Sequence, residues 1–348
     1  MMKTIYPQAQ FALETKLFRL ACRSWPRWLR WAALTAALVL APSFLGAYWT
    51  KVWISAVIYS LAASGVAVLY ARLGLVSLAQ VALVGIGGWV CLRVSHATGW
   101  PFEAAMLVGG VMTAAIGIVV GLPALRMRGL YFALVTMMAA GGFTILVTVL
   151  QFPNGGAGFS GYAFDPQPMP RPLLAQTDEA MLRYAMAVTA LGFALVWLHQ
   201  RSAPGRAWAL IRRSEAVAMS AGVNVALYKI WGFGLAGFLA GISGSLLAAT
   251  LGILDARSFP ASESILLFAL TAVGGIYSIA GQVLSGVLYR IVPALLDSWG
   301  LDGNLSFVVF GVALLHALVN APRGIAGQLQ DARKRLLQCS LMQRRPKP

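Results

Sequence analysis

GRAWALIRRSEAVAMSAGVNVALYK, residues 205–229, is the one long, strongly basic interruption between two membrane-length apolar runs. It follows Pro204, reads as a short helix bearing Arg212, Arg213 and Glu215, and closes on Gly222-Val223-Asn224. Glycine there lets a helix end by adopting positive φ. A short polar helix held between two spans is the form that receives force from a soluble partner. The stretch therefore sets the expectation of an all-α membrane bundle moved by another protein.

Composition outside the stretch agrees. Of 348 residues, 59% are hydrophobic and only 11% are charged, against about a quarter charged in an ordinary soluble domain. The cations behind the net charge of +16 cluster in an N-terminal arm (1–30), the 201–229 loop and a tail (321–348), and largely spare the apolar runs. That distribution orients a chain in a membrane; it is not the pattern of nucleic-acid binding. Cys22, Cys91 and Cys339 lie far apart and show neither a disulfide framework nor metal-ligand spacing. No metal and no cofactor is expected.

The apolar runs predict spans at Trp31–Trp49, Val52–Ala71, Leu75–Val94, Phe102–Leu125, Leu130–Phe152, Ala180–His199, Ile230–Leu251, Ser264–Tyr277, Ile279–Leu296 and Leu305–Asn320. Ser264–Tyr277 is too short to cross comfortably, and the break that follows it carries no charge. Either two helices meet there or the pair forms a re-entrant hairpin. Lys3, Lys16, Arg72, Arg126, Arg128, Arg206, Lys229 and the tail cations fall on one side when the N-terminus is placed inside. This predicts both termini in the cytoplasm, with ten spans or eight plus a re-entrant pair, in a permease domain over 31–320.

Glycines crowd the spans, as at Gly85-Ile86-Gly87-Gly88, Gly109-Gly110, Gly141-Gly142 and Gly237–Gly244. Small residues let helices approach closely in lipid. Where glycine stands with polar residues, a broken helix lining a path is the sharper expectation. Gly74-Leu75-Val76-Ser77-Leu78-Ala79-Gln80 and Gly275-Ile276-Tyr277-Ser278-Ile279-Ala280-Gly281-Gln282 share such a pattern, as an internal duplication would produce.

The chain carries no phosphate-binding Gly-x-x-x-x-Gly-Lys-Ser/Thr loop, so it is not expected to hydrolyse nucleotide itself, and no cluster suits enzyme catalysis. Glu103 and Glu263 both read as outer-end residues, which leaves no acid at mid-span for ion coupling. Arg290 is the one cation inside an apolar run.

Five stretches in order carry a resemblance. LGLVSLAQVALVGIGGW (73–89), LRMRGLYFALVTM (125–137), NGGAGFSG (154–161), the loop and following span (205–248), and SFPASESILLFALTAVGGIYSIAGQVLSG (258–286) resemble the permease subunits of branched-chain amino-acid ABC importers. The resemblance implies an inner-membrane permease working with two ATP-binding subunits, a second, dissimilar permease and a periplasmic solute-binding protein. It also matches Glu215, Ala216, Ala218 and Gly222 to the loop that docks on the ATPase, with Arg212 and Arg213 beside them. Ser77, Gln80, Tyr131, Thr136 and Tyr277 are the candidate path contacts. The family commonly has Gly-His where Ala79-Gln80 stand and a proline where Gln282 stands, so the resemblance does not fix the solute as leucine, isoleucine or valine. Relatives import urea and short amides.

The connection 153–179 is expected outside, as a fixed irregular cap, because prolines at 153, 166, 168, 170 and 172 resist helix and strand. The basic tail alternates with leucines and suits an amphipathic helix on the inner leaflet. A self-sufficient ion-coupled carrier and a membrane-embedded enzyme or scaffold are the rival functions.

Overall fold

The computed structural model describes residues 45–127, 129–150, 167–255, 258–303, 305–320 and 324–329. The N-terminal arm, most of the Trp31–Trp49 run, NGGAGFSG, Cys22, Cys339 and nearly all of the basic tail lie outside the described residues. A helix is the open-ended backbone that satisfies its own hydrogen bonds in lipid, and the described residues are helical almost throughout, without a strand.

Among the described residues, seven helices are long and apolar enough to cross a membrane. In chain order the elements are α1 (Ala47–Ala67), α2 (Gln80–Thr98), α3 (Phe102–Gly121), α4 (Leu130–Leu150), α5 (Asp178–Arg201), α6 (Ala203–Arg213), α7 (Glu215–Ser220), α8 (Val225–Leu251), α9 (Ala261–Gly274), α10 (Ile279–Ser298) and α11 (Leu305–Asn320). A π-helical stretch, Val68–Leu73, extends α1, and a 3-10 turn, Leu122–Leu125, extends α3. The helices alternate between two ends of the bundle. One end carries α6 and α7; the other carries residues 167–177.

Helices α1 and α8 are the interior of the bundle, buried along most of their length. Helix α8 packs against α3 and α2, α10 packs along α1, and α5 covers α1 from another side. Glycine sets how closely these axes approach. A Cβ on Gly87 would lie 2.4 Å from the Cα of Gly241, and one on Gly244 would lie 1.9 Å from the Val84 carbonyl oxygen. Van der Waals contact between backbones is the attraction left when lipid tails are as apolar as leucine, and these glycines give α2, α3 and α8 that contact. Gly141 and Gly142 do not share this role, because nothing lies within 4 Å of a Cβ built on either.

Two sequence expectations need correction. The predicted span Leu75–Val94 starts as helix only at Gln80; Gly74, with φ of 73°, stops the preceding π-helical stretch, and residues 75–79 run without helical structure. Glu263 is not at an outer end. Helix α9 has 14 residues and a length of about 21 Å, short of the roughly 30 Å hydrocarbon layer. Its first turn stands beside the middle of α10, where the Glu263 carboxylate accepts a hydrogen bond from the hydroxyl of Tyr289. Arg290 lies over the rings of Tyr59 and Tyr289, with its guanidinium carbon 4.8 and 5.6 Å from their centroids. An acid, a cation and two stacked tyrosines thus meet at mid-depth.

Of the 153–179 connection, residues 167–179 are described, and they are tied to the neighbouring chain. Met169 donates its backbone N–H to Gly252 at 2.8 Å, Met169 and Ala175 are buried, and Arg171 pairs with Asp178 at 2.8 Å. Leu173 and Leu174, by contrast, are 83% and 81% exposed at that end.

The candidate coupling loop and the two helix breaks

The loop is built as two short helices, α6 and α7, joined at Ser214. Gly205 permits the turn from α5 into α6, since a Cβ there would stand 2.1 Å from the Gln200 carbonyl oxygen. Along α6, Ala207, Trp208 and Ile211 face inward and are buried, and the Trp208 indole N–H donates to the Tyr228 carbonyl at 2.9 Å. Ser214 caps α7, and Asn224 caps α8 by accepting from the Leu227 N–H at 3.0 Å. Gly222, with φ of 77°, turns the chain between them. The loop is thereby one rigid body seated on the start of α8.

Its candidate residues divide into inward and outward sets. Glu215 points inward, pairing at 2.9 Å with Lys229, whose ammonium is 2% exposed and also donates to the Ala124 carbonyl at 3.1 Å. Ala218 is buried as well. Arg213, Ala216 and Gly222 are exposed. The outward face of α7 also presents Val217 and Met219, 53% and 60% exposed, which the sequence reading had not singled out. Only their spacing from Ala218 around a helix would have found them.

Arg212 takes neither role simply. Although its side chain is partly open to solvent, one guanidinium nitrogen donates to the carbonyls of Tyr70, at 3.2 Å, and of Ala71. The other donates to the Tyr277 hydroxyl at 2.9 Å.

The two sequence repeats are two helix breaks. At the first, Gly74–Ala79 interrupts the passage from α1 to α2. Donors freed there are met by side chains of other helices: Leu78 N–H donates to Thr136 Oγ1 at 2.9 Å and Val81 N–H to Ser264 Oγ at 3.1 Å. Gln80 opens α2 with its amide nitrogen within 3.2 and 3.3 Å of the carbonyls of Ala62 and Ala236, against Gly65. At the second, Gly275, with φ of 123°, separates α9 from α10, and Ser278 caps α10 through the Gly281 N–H at 3.1 Å. Four residues, 275–278, separate the helices there and six, 74–79, at the first, so the two breaks are alike in sequence and unequal in shape.

Of the candidate path residues, Ser77, Gln80 and Thr136 gather at the first break, all buried, and Tyr277 stands at the second. Tyr131 does not join them; it is 72% exposed at the start of α4. The Oε1 atoms of Gln80 and Gln282 are both buried without a hydrogen-bond partner. Among the described residues no group of three acids, histidines or cysteines is placed to hold a metal ion.

A family model described as branched-chain amino acid transport system / permease component matches residues 48–318. The high-affinity branched-chain amino acid transport system permease protein LivM of Escherichia coli is 26% identical over 330 residues, covering 84% of this chain and 74% of its own. The protein of the same name from Salmonella typhimurium is 25% identical over 303 residues, covering 77% and 67%. The solved structure of PsaBC from Streptococcus pneumoniae in complex with Fab aligns over 85% of this chain and 99% of that one, with TM-score 0.43 and 16% identity.

Proposed function

The chain belongs to the family of branched-chain amino acid transport system permease components, and from that premise we propose that it is the permease subunit of an ATP-driven, binding-protein-dependent importer. Its multi-pass inner-membrane character follows from that family and from its seven apolar helices. The proposal adds the partners: two ATP-binding subunits at the α6–α7 end, a second, dissimilar permease beside it, and a periplasmic solute-binding protein at the end formed by residues 167–177. Both termini are then cytoplasmic, with arm, permease domain and tail divided at 30 and 320. The solute is a branched-chain amino acid or a similarly small solute such as urea or a short amide.

The observation that carries the proposal is the outward face of α7. Val217 and Met219 are exposed apolar side chains on a six-residue helix locked from behind by Trp208, Ala218 and the Glu215–Lys229 pair. A rigid body with a small apolar face at the basic end of the bundle is what a groove on an ATPase can grip and move. Docking thus falls to Ala216, Val217 and Met219, with Arg213 beside them, while Glu215 and Ala218 hold the helix in place. Ser77, Gln80, Thr136 and Tyr277 remain the path contacts proposed here; Tyr131, exposed and apart, is a weaker member. At the opposite end, Leu173 and Leu174 on their fixed cap are the contacts offered to the binding protein.

Reconstitution tests the proposal. The chain with its partner permease, ATPases and binding protein in vesicles should take up radiolabelled leucine, isoleucine, valine or urea only with ATP inside the reach of the ATPases. Uptake by this chain alone, driven by a sodium or proton gradient, would replace the proposal with an ion-coupled carrier, a reading that the family match does not favour.

A further inference from the structure

Arg212 was grouped with the docking residues by its position in the sequence, yet its hydrogen bonds run the other way. Its two terminal nitrogens reach three oxygens: the Tyr70 and Ala71 carbonyls, within the π-helical stretch before the first break, and the Tyr277 hydroxyl inside the second. Its guanidinium carbon also lies 5.2 Å from the centroid of the Tyr277 ring and 6.0 Å from that of Tyr70. The aliphatic stem passes Gly74, where an added Cβ would meet Arg212 Cγ at 3.9 Å. One side chain of the loop is therefore bonded to both unequal copies of the repeated motif. Capping the carbonyls of Tyr70 and Ala71 would need no bond to Tyr277, so helix capping alone does not account for the arrangement.

We propose that Arg212 is a positioning residue that fastens the α6–α7 loop to both helix breaks, so that loop and breaks move as one body. The proposal rests on the reading of that loop as the ATPase-docking element. Its physical basis is the planar guanidinium, which presents several donors in a fixed fork; the single ammonium of lysine cannot hold the same three oxygens in the same geometry. Behind Arg212, α6 is seated by buried Trp208 and Ile211, so a displacement of the loop reaches the fork with little slack. The same helix end is held a second time where Arg72 donates to Gln200 Oε1 at 2.7 Å. Displacing the loop then pulls on the end of α1 and on the α9–α10 turn together. A change at the cytoplasmic face thereby becomes a change at the two places where the path is broken, the kind of small helix shift that two-state carriers amplify.

The test uses the assembled complex with spin labels at Ala209→Cys on α6 and Ile279→Cys at the start of α10, both exposed and outside the fork. Double electron–electron resonance measures their separation in the nucleotide-free and the vanadate-trapped state. The separation should change by less than about 2 Å between states, the scale of a rigid helix shift. In Arg212→Lys, and to a smaller extent in Tyr277→Phe, the distance distribution should broaden in both states and its mean should shift between them. The variant carrying both changes should look like Arg212→Lys alone. A wild-type separation that changes more between states than this, or an Arg212→Lys distribution matching the wild type, would overturn the proposal. So would loss of the ATPase from the Arg212→Lys complex, which would make Arg212 a docking residue. If no ATPase co-purifies with the wild-type chain, the docking reading fails separately, and the breadth of the distribution in the two forms still decides whether the fork tethers loop to breaks.

Discussion

Substituting either member of the Glu215–Lys229 pair should cost stability, but by different amounts, and the difference follows from burial. Lys229 is 2% exposed, whereas Glu215 is 21% exposed and stands in the first turn of α7. Removing one partner of a fully buried pair costs about 3–5 kcal/mol. Glu215→Ala leaves the ammonium buried with the Ala124 carbonyl, a bond that offsets about 1 kcal/mol, so a loss of about 2–4 kcal/mol is expected. Lys229→Met leaves a carboxylate that water reaches and that the start of a helix favours, so the loss should be about 1–2 kcal/mol. Glu215→Ala with Lys229→Met removes both charges and should cost less than the two single losses added together. Denaturant titration of the purified chain in a mild detergent, followed by tryptophan fluorescence, reads all three. Trp208 lies beside the pair's backbone and reports directly. Glu215→Ala costing no more than Lys229→Met, or a double variant equal to the sum of its parts, would refute the assignment of Lys229 as the buried and dependent partner.

Other perturbations have equally definite outcomes. Gly244→Ala drives a Cβ into the Val84 carbonyl and should destabilise the bundle by about 1–3 kcal/mol, whereas Gly142→Ala, with open space around it, should be neutral or gain up to about 1 kcal/mol from helix propensity; thermal unfolding compares them. Tyr289→Phe strips the Glu263 carboxylate of its donor at mid-depth and should cost about 1–3 kcal/mol, and Glu263→Gln, which can still accept from Tyr289, should cost less. Changing Leu173 and Leu174 to serine should leave unfolding unchanged and reduce uptake at limiting binding protein; uptake equal to the wild type at every binding-protein concentration would remove them from that interface.

Much of the fold was legible because lipid leaves a chain few options. A backbone that must satisfy itself makes every long apolar run a helix, so Phe102–Leu125 and Leu130–Phe152 emerge as α3 and α4 with ends moved by few residues. The shortness of α9 was legible for the same reason. What sequence spacing does not carry is depth and facing. Glu263 sits beside Pro260 at the start of a run and read as an outer-end acid; only the late start of α9 places it against Tyr289. Glu215 and Arg212 sit among polar neighbours and read as outward residues. Their partners are Lys229, Ala71 and Tyr277, and the last two are 141 and 65 residues away. Contacts of that separation leave no periodic trace. The likeness of the two broken segments was visible, and the structure adds that a single arginine joins them.

The central claim is that α7 docks on an ATPase through its outward apolar face, and co-purification from detergent tests it most directly. A tagged wild-type chain is compared with Met219→Asp, which leaves the inward Glu215–Lys229 pair and the capped turns intact. The account predicts an ATPase in the wild-type eluate, its loss from Met219→Asp, and equal unfolding of the two chains. An ATPase retained at full yield by Met219→Asp, or absent from the wild type, would contradict it.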